Sequence, residues 1–290
     1  MPNEGKSEFS KKFIYIPIYS WDVGMKFIVE PDRRNSSYTL DLFPYKSKDK
    51  FADRIKVKTF EYKICTFKGF EERKGQTFVQ FECEGKKYEQ ETFPFAGIDK
   101  MKKYEAEGKG FLNVIKHLIY TGEIDTLKAN LVGKRIWLLS SMWMRDDEDG
   151  YGAHQKDGFK YYPAVVSQVG VGSADAPIRV VFKPDNLNEA YIDIYLSGIN
   201  QRNKPHGLHF DKVFSFEDPK TKYPKISKEN WSLIQSGKVK IGMNEEECKL
   251  SWGKPDKINS TILEGLVSEQ WVYGGSFLYL TNGLLTSIQN

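Results

Sequence analysis

"IGMNEEECKLSWGKPDKI", Ile241 to Ile258, frames a helix that is too short to stand alone. Asn244 followed three residues later by Glu247 has the spacing of a capping box. In that motif each side chain satisfies a backbone N–H that the first helical turn leaves free. Glu245, Glu246 and Glu247 add negative charge at the positive end of the helix dipole. Gly253 supplies a left-handed exit, and Pro255 prevents continuation. A helix of this length is marginal in water, so the framing implies a tertiary partner. Cys248 and Trp252 stand four apart on one face and are expected to point inward.

Working outward, Ser227 is placed to cap "KENWSLIQS", Gly237 to end it, and "KVKI" reads as a short strand leading into the quoted stretch. Downstream come three strand signals, "VSEQWVY", "SFLYLT" and "LLTSIQ", separated by Gly274-Gly275 and Asn282-Gly283. Two-residue connections of that kind match the twist of antiparallel hairpins. In "SFLYLT", Leu278 and Leu280 face one side and Phe277, Tyr279 and Thr281 the other. Residues 223–290 are therefore expected to form an α+β module of order ααβββ, with the helices on one face of the sheet.

The order Ile241-Gly242-Met243, Glu245 to Glu247, Gly253-Lys254-Pro255, Trp271-Val272-Tyr273, Asn282-Gly283 resembles the SmpA/OmlA (BamE-like) domain family of bacterial outer-membrane assembly lipoproteins. The resemblance covers Ile226 to Asn290, about a fifth of the chain. It implies a non-catalytic interaction domain rather than a particular assembly. This chain departs from the family at three points: no lipidated cysteine after a signal sequence is read, Cys248 stands where an aliphatic residue is usual, and Ser251-Trp252 precedes the glycine.

The preceding residues read as mostly β. Period-two alternation runs through "KFIVE", "RIKVKTFEYKICTF", "TFVQFEC", "KRIWLLSSMW", "IRVVFKP" and "AYIDIYLSG". Two blocks repeat one order of events: a strand after a glycine, a long hydrophilic excursion, a hairpin and a further strand. They open at "VGMKFIV" and "VGKRIWLL". Each loosely resembles a small bacterial Src-homology-type barrel. The expected layout is a β-barrel-like domain at 1–98, a helical connector at 99–130, a second β-barrel-like domain at 131–222 and the BamE-like module at 223–290. One larger β-sandwich made from all these strands is the alternative. In the connector, Phe111, Val114, Ile115, Leu118 and Ile119 recur at helical spacing, His117 lies on the polar flank, and Gly122 is placed to stop the helix.

Composition narrows the function classes. The 290 residues are 40% hydrophobic and 14% aromatic, enough for real cores. Their 43 basic against 39 acidic residues, with only short basic clusters, do not describe a nucleic-acid binder. No apolar run approaches the ~20 residues that span a bilayer, so no transmembrane segment is expected. The apolar part of the start, Phe13 to Tyr19, is interrupted by Pro17 and reads as a strand rather than a signal sequence. The compartment stays open: cytoplasmic if Met1 is the true start, cell envelope or periplasm if a signal sequence was removed. Cys65 and Cys83 fall opposite each other, and Phe67 opposite Phe81, if the hairpin is centred near Lys74. A cross-strand disulfide is conceivable, and two reduced, buried thiols are the favoured reading.

Motifs for chemistry are scarce. His206 and His209 are two imidazoles without further ligands at metal spacing. "RDDEDGYGAHQKDG", Arg145 to Gly158, fails as a calcium loop, since Arg145 and Lys156 stand where carboxylates belong, and reads as an acidic hairpin. "GVGSADAP", Gly170 to Pro177, lacks the lysine of a phosphate loop and reads as a hairpin turn. No local sequence marks a nucleophile. The expectation is no enzyme, no cofactor and no metal. What remains is aromatic: Trp143, Tyr151, Phe159 and Tyr161 flank the acidic loop and form the candidate ligand or partner surface, with Met142 and Met144 beside Trp143. The leading function is a binding or scaffold protein of a bacterium acting through protein–protein contacts. The alternative is a peptide, glycan or peptidoglycan-binding module set, and third an enzyme with scattered catalytic residues.

Overall fold

The computed structural model describes residues 6–31, 38–50, 52–92, 97–107, 115–146, 153–201 and 208–290. In chain order the strands are β1 (Lys26–Val29), β2 (Phe43–Pro44), β3 (Ile64–Arg73), β4 (Gln76–Cys83), β5 (Lys86–Glu91), β6 (Leu118–Tyr120), β7 (Arg135–Leu138), β8 (Met142–Asp146) and β9 (Ala153–Asp157). They continue with β10 (Tyr162–Val171), β11 (Ile178–Pro184), β12 (Ala190–Tyr195), β13 (Leu208–His209), β14 (Phe214–Ser215), β15 (Lys257–Leu263), β16 (Leu266–Tyr273), β17 (Ser276–Thr281) and β18 (Leu284–Gln289). The α-helices are α1 (Val57–Phe60), α2 (Ile98–Ala106), α3 (Thr121–Leu131), α4 (Phe210–Val213), α5 (Lys228–Gln235) and α6 (Glu245–Trp252). The protein is mostly β, with curled antiparallel sheets, one of them a half-barrel. Two compact units interleave along the chain. Unit 1 takes Met1–Arg135, Trp143–Lys156 and Val165–Val213; unit 2 takes Ile136–Met142, Asp157–Ala164 and Phe214–Asn290.

Unit 1 contains a sheet of order β2-β5-β4-β3-β1-β6. The β3–β4 register pairs Cys65 with Cys83 and Phe67 with Phe81, as the hairpin reading required. At the turn the pairing is Arg73 with Gln76, and a bulge between Phe67 and Gly69 supplies the one-residue shift. The two cysteines are disulfide-bonded, which corrects the favoured reading of reduced thiols. Their Cα atoms are 4.4 Å apart, the spacing of a non-hydrogen-bonded antiparallel pair, where opposed side chains approach most closely. Phe27, Phe67, Phe81, Val79 and Met101 close around them as the core.

The connector differs from expectation. Of its apolar residues, Phe111 and Val114 lie outside the described residues. Leu118 and Ile119 belong to β6, which pairs with Val29 and Ile28 of β1. The helix begins afterwards, so Gly122 lies in the first turn of α3 instead of ending a helix. A short apolar run fits a buried strand as well as a helix face, and here the open edge of β1 decides the matter. Phe13 to Tyr19 is likewise no strand: short 3₁₀ turns at Ser10–Lys12 and Ile18–Ser20 bracket it, and Phe13 and Ile18 are buried. A second sheet of unit 1 runs β10-β11-β12-β8-β9, with β13 added in parallel to β12. "GVGSADAP" connects β10 to β11 as a turn closed by Gly172 N–H on Pro177 O at 2.8 Å.

In unit 2, β14 pairs with β7, and β15-β16-β17-β18 form a four-stranded meander. The ααβββ expectation is therefore short by one strand. The stretch after Pro255, read as a loop, is β15, and every one of its seven residues is exposed. Exposure on both faces removes the apolar alternation by which a strand is recognised. "KVKI" forms no strand. Its neighbours Gly242 to Asn244 instead lie along β18: Gly242 N–H bonds Leu285 O and Leu285 N–H bonds Met243 O, both at 2.8 Å. The helices are capped as read. Ser227 accepts from Asn230 N–H, and Asn244 and Glu247 form the reciprocal capping box. Trp231, Ile234, Met243 and Cys248 pack on Trp271, Leu278, Leu280 and Leu285.

Candidate functional site

The four aromatic residues expected to make one surface do not share one environment. Trp143 is 1% exposed and meets Phe182 edge-on in the core of unit 1, so its ring is not a surface ring. Tyr151 lies outside the described residues. Phe159 stacks on Tyr162 within unit 2, ring centroids 5.3 Å apart. Tyr161 is half-buried against Trp231, and its hydroxyl donates to Leu250 O at 3.3 Å. Its neighbour Lys160 donates from Nζ to Ser251 O at 2.5 Å, and Gln235 Nε2 donates to Tyr161 O at 3.0 Å. Burial lowers the Lys160 pKa. Lys160 and Tyr161 thus clasp α5 and α6 together. In the last turn of α6 Lys249 O accepts from Gly253 N–H, and the clasp supplies donors to Leu250 O and Ser251 O. Met142 is 50% exposed.

Unit 1 holds a polar knot that no motif announced. His117 is not on a helix flank. It sits in the turn before β6 with φ +66°, a conformation a non-glycine residue seldom adopts. Its Nδ1 meets the Glu30 carboxylate, whose other oxygen accepts from Ala174 N–H. Tyr38 stacks on the imidazole with centroids 5.5 Å apart. Asn200 accepts from Ile115 N–H at 2.8 Å and donates to Ile115 O at 2.9 Å and Leu118 O at 2.6 Å. Gln201 Nε2 donates to Asp175 O at 3.1 Å. A carboxylate beside an imidazole can fix its tautomer and ring orientation. Here the pair, with the two amides, ties the exit of β1, the turn before β6 and the β10–β11 turn into one network.

Of the histidine pair read in the loop, His206 lies outside the described residues. His209 is in β13, its Nδ1 accepting from Asp211 N–H at 3.3 Å; burial lowers its pKa against the pull of Asp211. Asp211 Oδ1 also accepts from the hydroxyls of Ser7 at 2.5 Å and Ser10 at 2.9 Å, which pins the N-terminal segment. The Cys248 thiol is pushed up to about 12, by burial first and then by Glu247 and Glu245, so little thiolate forms near neutral pH. Among the described residues no group of three His, Cys, Asp or Glu is placed to hold a metal ion. No described helix is long and apolar enough to cross a membrane.

The feature that is both built and exposed is the β15 edge of unit 2. Glu264 (φ +52°) and Gly265 (φ +83°) make the two-residue turn into β16, and the register runs without a bulge from Leu263↔Leu266 to Lys257↔Val272. In such a hairpin the closing pair is hydrogen-bonded and the pairs then alternate. Leu263, Thr261, Asn259 and Lys257 therefore bond inward to β16. The far side of β16 agrees, since Asn282 N–H reaches Val267 O at 2.8 Å, leaving the even-numbered residues of β16 for β15. It follows that Ile258, Ser260 and Ile262 turn their N–H and C=O groups outward. Ile262 is 73% and Leu263 71% exposed, with Ile258 and Leu266 exposed beside them. Proteins ordinarily blunt such an edge with proline, a bulge or charge; β15 has neither proline nor bulge, and its one charged residue, Lys257, stands at its far end from the turn. Sequence reasoning missed it, although "ILEGL" carried the signal: a Glu-Gly turn between apolar pairs. No family model matches the chain, nor does any curated protein or solved structure.

Proposed function

We infer that this chain is a non-enzymatic binding protein that works through protein–protein contacts, and that β15 is its docking strand. The partner contributes an extended segment that continues the sheet of unit 2, with main-chain hydrogen bonds for affinity and the apolar side chains around Ile262 for fit. The observation that carries this reading is the fully exposed, unbroken edge with outward donors at Ile258, Ser260 and Ile262. The order of two helices followed by an antiparallel meander supports reading residues 223–290 as a BamE-like interaction module. The two sheets of unit 1 correspond in this reading to the two barrel-like blocks.

Ser260→Pro tests the docking strand. Proline there removes an outward N–H while sparing the bonds to β16, and edge positions of this kind tolerate it. The variant should keep the circular dichroism and melting behaviour of the parent and lose capture of extended peptides. Equal capture by parent and variant would overturn the reading.

A further inference from the structure

Resting on that reading, we propose that the segment docking on β15 is β15 of a second copy, so that two chains pair edge to edge about a two-fold axis through Ser260. The first argument is hydrogen-bond parity. Only Ile258, Ser260 and Ile262 offer outward N–H and C=O groups, so an antiparallel partner strand must present residues in the same phase. "KINSTIL" does so against itself with its longest overlap centred on Ser260. Ile258 then pairs with Ile262 of the other copy, Ser260 with Ser260, and Ile262 with Ile258.

Side chains agree with this register. Ile258 and Ser260 lie opposite Trp271 and Glu269, and Ile262 opposite Val267, so all three share one face of the sheet. Pairing sets Ile258 of each copy against Ile262 of the other, two isoleucine pairs flanking the central serines, and covers side chains that are 44% and 73% exposed in one copy. Asn259 and Thr261 meet on the opposite face. In this register Lys257 falls opposite Leu263 of the other copy and next to its Glu264, while Asp256, whose carboxylate accepts from Gly274 N–H at 2.9 Å, falls opposite Glu264 itself. A parallel register would set Lys257 against Lys257 and Glu264 against Glu264.

Assembly through the β15 edge stops at two. The other border of the sheet, β18, has its first half paired with Gly242 to Asn244 through Gly242 N–H, Leu285 N–H and the Asn244–Leu284 bridge. One bare edge joined to itself is a closed, isologous contact. Seven residues of strand bury less than the ~1,200 Å² of a stable interface, so the dimer is concentration-dependent.

Sedimentation velocity on the full chain over a wide concentration range tests this, with Ser260→Pro, Ile262→Lys and a Ser260→Cys variant for cross-linking. The parent should pass from monomer to dimer. Both disrupting variants should weaken dimerisation by roughly tenfold or more, because the central pair loses both its bonds or a charge enters each isoleucine pair. In the Ser260→Cys variant a short bismaleimide should join the introduced thiol of one copy to that of the other, identified by peptide mapping. A parent that stays monomeric, or dimerises undiminished in both disrupting variants, overturns the proposal. If it is monomeric yet captures extended peptides in a Ser260→Pro-sensitive way, the self-pairing fails and the docking strand stands. If neither association responds to Ser260→Pro, both fail.

Discussion

At the residue scale the molecule spends its buried polar groups on tying loops together. Asn200, 8% exposed with φ +55°, makes three bonds to the turn that enters β6. Glu123 is the costlier case. It is 7% exposed and accepts from Ser197 N–H at 3.3 Å. Burial raises its pKa above the usual carboxylate value, outweighing the lowering by the Ser197 hydrogen bonds and by Lys6. A raised folded-state pKa means the folded chain holds this proton more tightly than the unfolded chain. Its contribution is fully present below the unfolded value of 4.5 and is lost as pH rises through the folded value. Glu123→Gln, which cannot ionise, should flatten that fall. The check is urea unfolding of parent and variant from about pH 4 to 8. A parent–variant difference that does not change with pH would remove Glu123 as its source.

At the element scale, local chemistry and tertiary closure contribute separately. α6 starts on Asn244, whose side chain accepts from Glu247 N–H at 2.9 Å while Glu247 accepts from Asn244 N–H at 2.9 Å. Asn244→Ala should cost about 1 kcal/mol of stability in chemical denaturation, the ordinary worth of a cap. The β3–β4 hairpin is closed at its far end by the Cys65–Cys83 disulfide, 18 residues apart. Replacing both cysteines by alanine should lower the unfolding free energy by about 3 kcal/mol or more, from loop entropy and from the emptied core volume. Calorimetry of the double variant measures this. The hairpin register was readable because its turn, Lys74-Gly75, sits between alternating apolar residues. The bond between its sulfurs was not, since opposition alone leaves two thiols or one disulfide. The fourth strand of the meander was missed because β15 buries nothing, and burial is what writes period two into a strand.

At the scale of the whole molecule, charge is nearly balanced, with 43 basic and 39 acidic residues. Association through backbone bonds and isoleucines should therefore respond weakly to salt. Raising sodium chloride from about 50 to 500 mM should change the dimer constant by no more than about threefold, because the attraction of Lys257 and the repulsion of Asp256 towards Glu264 are exposed and are screened together. A steep salt dependence in sedimentation would point to a different, charged interface. The candidate site shows the same division between what is local and what is not. Trp143, Phe159 and Tyr161 are close in sequence around one loop. Trp143 nonetheless ends in the core of unit 1, while Phe159 stacks on Tyr162 and Tyr161 packs on α5 and bonds α6 of unit 2.

The sequence by itself determined the mostly β composition, the β3–β4 register, the framed helices α5 and α6 and the hairpins that follow them. Each of these rests on capping groups, turn residues or alternation within a few positions of one another. Only the tertiary structure decided that Leu118 and Ile119 would be strand, that Cys65 and Cys83 would be bonded, that Glu30 would meet His117, and that Asn200 would reach Ile115 and Leu118. It also decided that β15 would be left bare. Those outcomes depend on which edges and cavities the rest of the chain leaves open, and spacing along the sequence carries no record of that.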